Sequence, residues 1–592
     1  MLNNSAMCPA FAVAGADPYA DNSSATKNFA ALSSSEDDDF NAFGDTSQKP
    51  QTAPQRIRRQ QPDPRAKKPK KKLSPVNMKM ILIGVAVIVA ITLLIVLFSA
   101  IFSSPGKSVK TKDNVYIVYT DVDGHNRIMS NGKEIKETFE GDIKLIPSKD
   151  NSFAYVFEEI VTESGGKVTV MYILDGKKLS LVDAEADQII AYADYKPGII
   201  FKRGTVVQLF SENSFEDISS DSSSSNFLIS GDASTVVYTE KNGRDPNATQ
   251  IKYFCNAGFN DVGDADDLAP VAISSDGKYV YVHDSNNALY YLEVTKRGTK
   301  YKQNEIIPPS SNVFGGISAM NASGNEIIFN YKSSDDRVAS FIFKIGEKKY
   351  SQIGEGVFTF APTDKVTVAP SSLLGSYFTS VRAVTNDSGK SENVTSTYYY
   401  GSKGMLKLAD ATGQFAPNGK YFYYIDRINS DLVRVDLGSS DYEEGSKVIS
   451  KAIDSFVLTE KGDLYTYSKP TSSAGGRITF KKSSDSTSRL VSSKSDANSM
   501  FACGSTVYFS ETENDQVKIY KSTSGAAKEE ISFKKVDFAS AITIVMGSGN
   551  KGYAYCVDAN GNTKLLYTSN GEKFDVILDA CTIPGYNTTP EN

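Results

Sequence analysis

Past about residue 110, apolar positions come in short runs closed by Asn, Asp, Gly and Ser. Lys278–His283 and Ala288–Val294 flank the turn Asp284–Asn287, and Tyr421–Asp426 and Leu432–Leu437 flank Arg427–Asp431. Alternating runs of Tyr, Val, Ile and Phe between turn residues predict strands joined by hairpins. No sustained helical periodicity competes with them there. One earlier run differs. Met80–Phe102 holds 23 residues without a charge, preceded by Lys67, Lys68, Lys70, Lys71, Lys72 and Lys79. At about 1.5 Å per residue, a helix of this length is about enough to cross a hydrocarbon core of roughly 30 Å. The basic flank predicts that residues 1–79 stay cytoplasmic and that everything after Ser103 is exported. A cleaved signal peptide has a shorter apolar run nearer the N-terminus, so an uncleaved anchor is expected, with Ser99 and Ala100 leaving cleavage open.

The strand runs recur. A polar turn enters an aromatic strand at Ser274-Ser-Asp-Gly-Lys278 and again at Ala416-Pro-Asn-Gly-Lys420, with weaker copies such as Pro147–Asp150, Ser230–Ala233 and Asn321–Gly324. Units anchored near 150, 197, 232, 276, 323, 363, 418, 461, 503 and 549 have a mean spacing of 44 residues, and an incomplete unit fits at Asp113–Ile128. Several strands per unit at that period predict an all-β propeller. The longest step and the polar run Thr385–Thr397 predict two tandem propellers, 113–365 and 366–585, with one large ring as the alternative. Residues 103–112 are expected to form a stalk and 586–592 a flexible C-terminus.

Ala416–Leu437 resembles the repeat of the TolB-like, WD40-like bacterial propellers: a Ser-Pro-Asp-Gly-Lys-like turn, an aromatic strand, a polar hairpin, and a strand ending near Asp-Leu. Ala272–Val294 is a second copy. The resemblance implies a propeller over residues 110–585 in a bacterial envelope, and it implies no particular activity, because propellers host enzymes, receptors and scaffolds.

Charge changes the picture in the tail first. Residues 1–79 are rich in Ser, Asn, Asp, Ala, Pro and Gln, and too poor in apolar periodicity to offset ordering entropy, so disorder is expected. The acidic block Glu36–Asp39 precedes Phe40 and Phe43, and Arg56–Lys72 is basic and proline-interrupted. The basic block reads as a topology determinant touching anionic headgroups, and either block could instead dock a cytosolic partner. The tail carries 12 basic and 8 acidic residues, and the rest of the chain 52 and 62. A net-acidic exported region without basic clusters argues against nucleic acid as its partner, so none is expected, and against an anionic lipid surface.

Candidate chemistry is sparse. Cys8 lies in the tail; Cys255, Cys503, Cys556 and Cys581 lie outside, too few for a disulfide framework and too scattered for zinc, with a Cys556–Cys581 bridge open. His125 and His283 are the only histidines, and both sit at apparent hairpin turns. No Gly-x-Ser-x-Gly elbow and no phosphate-cradling glycine loop is present. Asp121–Asn126 and Asp558–Asn562 space oxygen ligands around a glycine, but neither loop continues to the glutamate of known calcium loops, and turns use the same residues. No catalytic, cofactor-binding or metal residues are therefore assigned, and no cofactor is expected. Tyr290-Tyr291, Tyr423-Tyr424 and Tyr398–Tyr400 read as cross-strand packing before they read as a groove. The expected protein is a single-pass membrane protein presenting a non-catalytic propeller, which binds a protein or a cell-envelope polymer on one propeller face. A glycan or peptide hydrolase and a sensor signalling through the tail are the alternatives.

Overall fold

The computed structural model describes residues 114–583, except 164, 242–248, 256–257, 262–267, 295–303, 309, 348, 362–368, 386–390, 440–444, 470–474, 486, 496–499, 514–515, 532–539, 541 and 549. The chain divides into two units, Met1–Ser104 and Pro105–Asn592, and every described residue belongs to the second. The tail, the apolar segment 80–102, the stalk and residues 586–592 thus lie outside the described residues. Among those described, no helix is long and apolar enough to cross a membrane.

All described secondary structure is β. Eight antiparallel sheets have four strands, one has three, and one has eight. The eight-stranded sheet joins two four-stranded halves through a single pair, Ser495 opposite Glu511. Counting its halves separately, the sheets are numbered 1 to 11 in chain order: 116–134, 142–186, 188–219, 225–261, 269–307, 313–355, 359–409, 413–450, 455–495, 501–530 and 543–578. Within each sheet, strands pair in the order in which the chain makes them. This is an all-β architecture of repeated four-stranded sheets, consistent with propeller blades. Position 365/366 falls between the first and second strands of sheet 7.

The middle strands are buried on both faces, which is why they read as nearly unbroken apolar runs. In sheet 3, Ile199 and Phe201 pack towards Tyr155 and Met171 of sheet 2, while Ile200 packs against Val236 and Tyr238 of sheet 4. Apolar clusters of this kind join every sheet to the next. The first joins Tyr116 and Ile128 to Ala154 and Val156, and a last one joins Tyr553 and Leu565 of sheet 11 back to Ile117 and Tyr119 of sheet 1. Beside it, Thr120 and Thr582 exchange backbone hydrogen bonds of 2.8 and 2.9 Å, so the chain after sheet 11 pairs with the free edge of sheet 1.

Buried tyrosines tie several sheets to the following one. The Tyr155 hydroxyl donates to the Ala193 carbonyl at 2.8 Å, Tyr281 to Gly324 at 2.6 Å, and Tyr508 to Gly571 at 2.7 Å. A tyrosine fills the inter-sheet core with its ring and places its one polar atom on a neighbouring backbone carbonyl.

The turn between the first and second strands repeats a side-chain device. Ser274 donates to Asp276 at 2.7 Å, Asp276 accepts from the Lys278 amide at 3.1 Å, and Ser274 accepts from the Tyr279 amide at 2.9 Å. The same three bonds recur at Ser148/Asp150 and Ser230/Asp232. These turns then bond to each other from sheet to sheet. Lys149 N donates to Asp194 O, Tyr195 N to Gly231 O, and Asp232 N to Ser275 O, at 2.8–2.9 Å. From sheet 2 to sheet 5 these turns form a hydrogen-bonded belt.

Candidate functional site

The residues that the sequence brings forward are used by turns and cores. Asp121 Oδ1 accepts from the amides of Asp123 and His125 at 3.0 and 2.9 Å, and its Oδ2 takes Arg127 Nε at 2.6 Å. Asp121, Asp123 and His125 are near enough to share an ion, but the first ligand of that set already holds the turn. Asp558 behaves alike, accepting from the amides of Asn560 and Asn562 and pairing with Lys564 at 3.3 Å. His283 stacks near Phe314, in sheet 5, while His125 lies in sheet 1, so the two imidazoles do not form a site. Tyr290 donates to Asp284, and Tyr291, Tyr398, Tyr399, Tyr423 and Tyr424 pack in or against inter-sheet clusters. Cys503, Cys556 and Cys581 are free thiols, and burial raises the first and last to about 11 and Cys556 to about 12.

A different constellation forms between sheets 8, 9 and 10. In sheet 8, Arg434 on the third strand stands directly opposite Lys447 on the fourth. Lys481, the last residue of the third strand of sheet 9, faces both, and its ammonium is held below the ordinary lysine range by burial and by the charges of Arg434 and Lys447. Like charges opposite each other in a sheet are destabilising. Among the described residues, none of the three forms an ion pair.

Lys481 leads into the hairpin 482–488, a run of Lys, Ser, Asp and Thr whose side chains favour turns. The hairpin is fixed from below. Buried Asp463 accepts from the Ser483 amide at 3.0 Å, and the Asp485 amide donates to the Lys482 carbonyl at 3.0 Å. On the far side, Arg489 donates to the Ser524 carbonyl of sheet 10 at 2.8 Å and lies over the Phe480 ring at 4.7 Å. Arg434 likewise lies over Tyr421, at 4.4 Å. A stacked guanidinium keeps its in-plane N–H donors directed outward.

Two cavities flank this hairpin and share Asp485. One, of about 420 Å³, is lined by Arg434, Lys447 and Lys481 with Ser483 and Ser484. The other, of about 550 Å³, is lined by Lys461, Lys482 and Arg489 with Thr487, Ser488 and Ser524. Six cations thus meet two carboxylates, Asp463 and Asp485, and Asp463 is already committed to an amide. The arrangement can bind anions.

The expectation of an exported region without basic clusters is corrected here. The six cations are spread over 434–489, and only Lys481 and Lys482 are adjacent in sequence. Strand register and the stacking of one sheet on the next assemble them. The signal in the sequence was the pairing of Arg434 with Lys447 across a hairpin, which needs the register before it can be seen.

No protein-family model matches the sequence, and no curated protein matches it. Among solved structures, the chain is similar to one from a structural and mechanistic study of two prolyl endopeptidases, at TM-score 0.28 and 12% identity over 54% of this chain and 50% of that one. It is also similar to the β-propeller domain of the Trilobed protease from Pyrococcus furiosus, which has an open velcro topology, at TM-score 0.24 and 10% identity over 60% of this chain and 95% of that one. A third is oligogalacturonate lyase from Vibrio parahaemolyticus, at TM-score 0.31 and 8% identity over 53% of this chain and 93% of that one. The chain spans about half the length of the endopeptidases. Likeness at this level says nothing of activity or ligand.

Proposed function

We propose that the protein is a single-pass membrane protein, N-terminus cytoplasmic, whose extracytoplasmic β-propeller binds an anionic partner without catalysis. The observation that carries the binding role is the trio Arg434, Lys447 and Lys481, which forms no ion pair among the described residues, beside a cavity of about 420 Å³. A fold retains unpaired like charges at a loss of stability where a ligand supplies the counter-charge. The membrane anchor rests on the uncharged run Met80–Phe102 and its lysine flank. We read the sheets as blades of one closed circuit rather than the tandem pair expected from the spacing. The support is the packing of sheet 11 on sheet 1 and the pairing of Thr120 with Thr582.

The test is anion binding by the full-length chain in detergent micelles. Pyrophosphate should raise its melting temperature at low salt, and the triple variant Arg434→Gln/Lys447→Gln/Lys481→Gln should lose that response while keeping its own melting transition. An unaltered response in the triple variant refutes this location for the site.

A further inference from the structure

We propose that the groove takes a linear, polyhydroxylated polyanion, laid across the hairpin 482–488 so that its charged groups enter the cavities on both sides. This rests on the reading of the groove as an anion site. Four observations extend it from an ion to a polymer.

The cations fall into two groups of three, Arg434, Lys447 and Lys481 on one side and Lys461, Lys482 and Arg489 on the other. The two cavities meet only at Asp485 on the hairpin between them. One small anion neutralises one group and leaves the other bare, whereas charges repeated along a chain meet both. The intervening wall is rich in hydroxyl groups: Ser483, Ser484, Thr487, Ser488 and Ser524 line the cavities, and such groups pair with hydroxyls on a sugar or polyol backbone.

The aromatic faces speak to the same class. Two rings beside the cations, Tyr421 and Phe480, are each covered by a guanidinium, Arg434 at 4.4 Å and Arg489 at 4.7 Å. Binding of single-stranded nucleic acid relies on open aromatic faces for its bases; these two are occupied. Finally, both cavities are open and polar, with Val448, Ile449 and Phe480 the apolar members of their walls. An apolar or aromatic ligand finds little surface there. The chemistry that fits is a polyol phosphate or an acidic glycan.

The experiment measures affinity of the full-length chain in micelles for inorganic phosphate, for glycerol-phosphate oligomers of increasing length, for uronate oligomers of matched charge, and for oligo(dT) of matched charge. Affinity for glycerol-phosphate, uronate or both should rise at least tenfold between the monomer and a chain of about six repeats, and it should fall steeply with added salt. Whichever of the two rises identifies the anionic group. The pair Lys461→Gln/Lys482→Gln should erase most of that gain while leaving phosphate affinity within about twofold, because the intact Arg434 side still takes one phosphate. Equal affinity for monomer and polymer overturns the polymer inference and leaves the anion site standing. Binding of oligo(dT) as tight as the best polyanion also overturns it, since charge alone would then suffice. Failure of every anion to bind removes both.

Discussion

Lys481 carries two opposing requirements. Its side chain is half-buried and faces Arg434 and Lys447, and burial and both charges hold its pKa below the ordinary 10.5. A lysine with a depressed folded-state pKa is a burden wherever it is protonated in both states. That burden is fully present below the folded pKa and is relieved as pH rises from the folded towards the unfolded value. At neutral pH, Lys481→Gln should therefore stabilise the fold, by about 0.2–1 kcal/mol on the scale of a like-charge contact in a sheet, and weaken anion binding at least tenfold. Thermal melts with and without pyrophosphate read both effects. A variant that loses stability and keeps binding would show that Lys481 serves packing. This gain of stability with loss of function marks binding residues generally. It also explains why the site escaped the sequence: a lysine at 481 looks like any other exposed-strand lysine until its neighbours in sheet 8 are known.

The turn and strand are the scale at which sequence was most informative. Each repeat anchor that falls on a described residue lies at or beside a turn between first and second strands, and at 148, 230 and 274 Ser-x-Asp writes a local hydrogen-bond pattern with little tertiary help. What could not be read is that successive turns interlock. Gly324 has φ +68°, and a Cβ there would press into Ser274 of the preceding sheet. Gly324→Ala should cost about 1–2 kcal/mol for the left-handed backbone alone, more with the clash, and chemical denaturation should show it. Glu326, two residues on, anchors the start of sheet 7's second strand region. It is nearly buried, accepts from Ser372 Oγ at 2.8 Å and from the Leu373 amide at 2.6 Å, and pairs with Lys344 at 2.9 Å. Desolvation pushes its pKa up, but Lys344 and those two donors win, so the carboxyl sits below the ordinary 4.5. Its contribution is therefore complete above about pH 4.5 and is lost as pH falls through the lower folded value. Amide exchange at 372–376 should accelerate below that point and should lose this pH dependence in Glu326→Gln. Acceleration alike in both forms would assign the effect to other carboxylates.

For the propeller as a whole, the question is what stops eleven similar sheets from behaving as an open stack. In a linear array each unit contacts only its neighbours, the end units have one exposed face, and unfolding starts there. Here the end faces meet. Val115, Ile117, Tyr119 and Met129 of sheet 1 bury against Tyr553 and Leu565 of sheet 11, with Ile583 at 3% exposure between them and Thr120 and Thr582 bonded at the edge. No local pattern marks this closure: residues 580–583 read Ala-Cys-Thr-Ile, a segment too short to call a strand. It depends on positions more than 420 residues apart, a separation that repeat spacing does not encode. Closure makes a definite thermodynamic demand. Ile583→Ala removes one side chain from the seam and should lower stability by about 2–5 kcal/mol, as for any buried isoleucine. In a closed circuit that loss should be felt at a distance. Amides in sheets 1 and 11 should exchange faster, and the calorimetric transition of the whole propeller should move to lower temperature while staying single. In an open stack, the same substitution would loosen sheet 11 alone and leave the main transition where it was. The site between sheets 8, 9 and 10 provides the functional reading of the same variant. Because the circuit sets the spacing of all its members, a closed ring predicts weaker pyrophosphate binding in Ile583→Ala as the transition is approached, although the substituted residue touches none of the six cations.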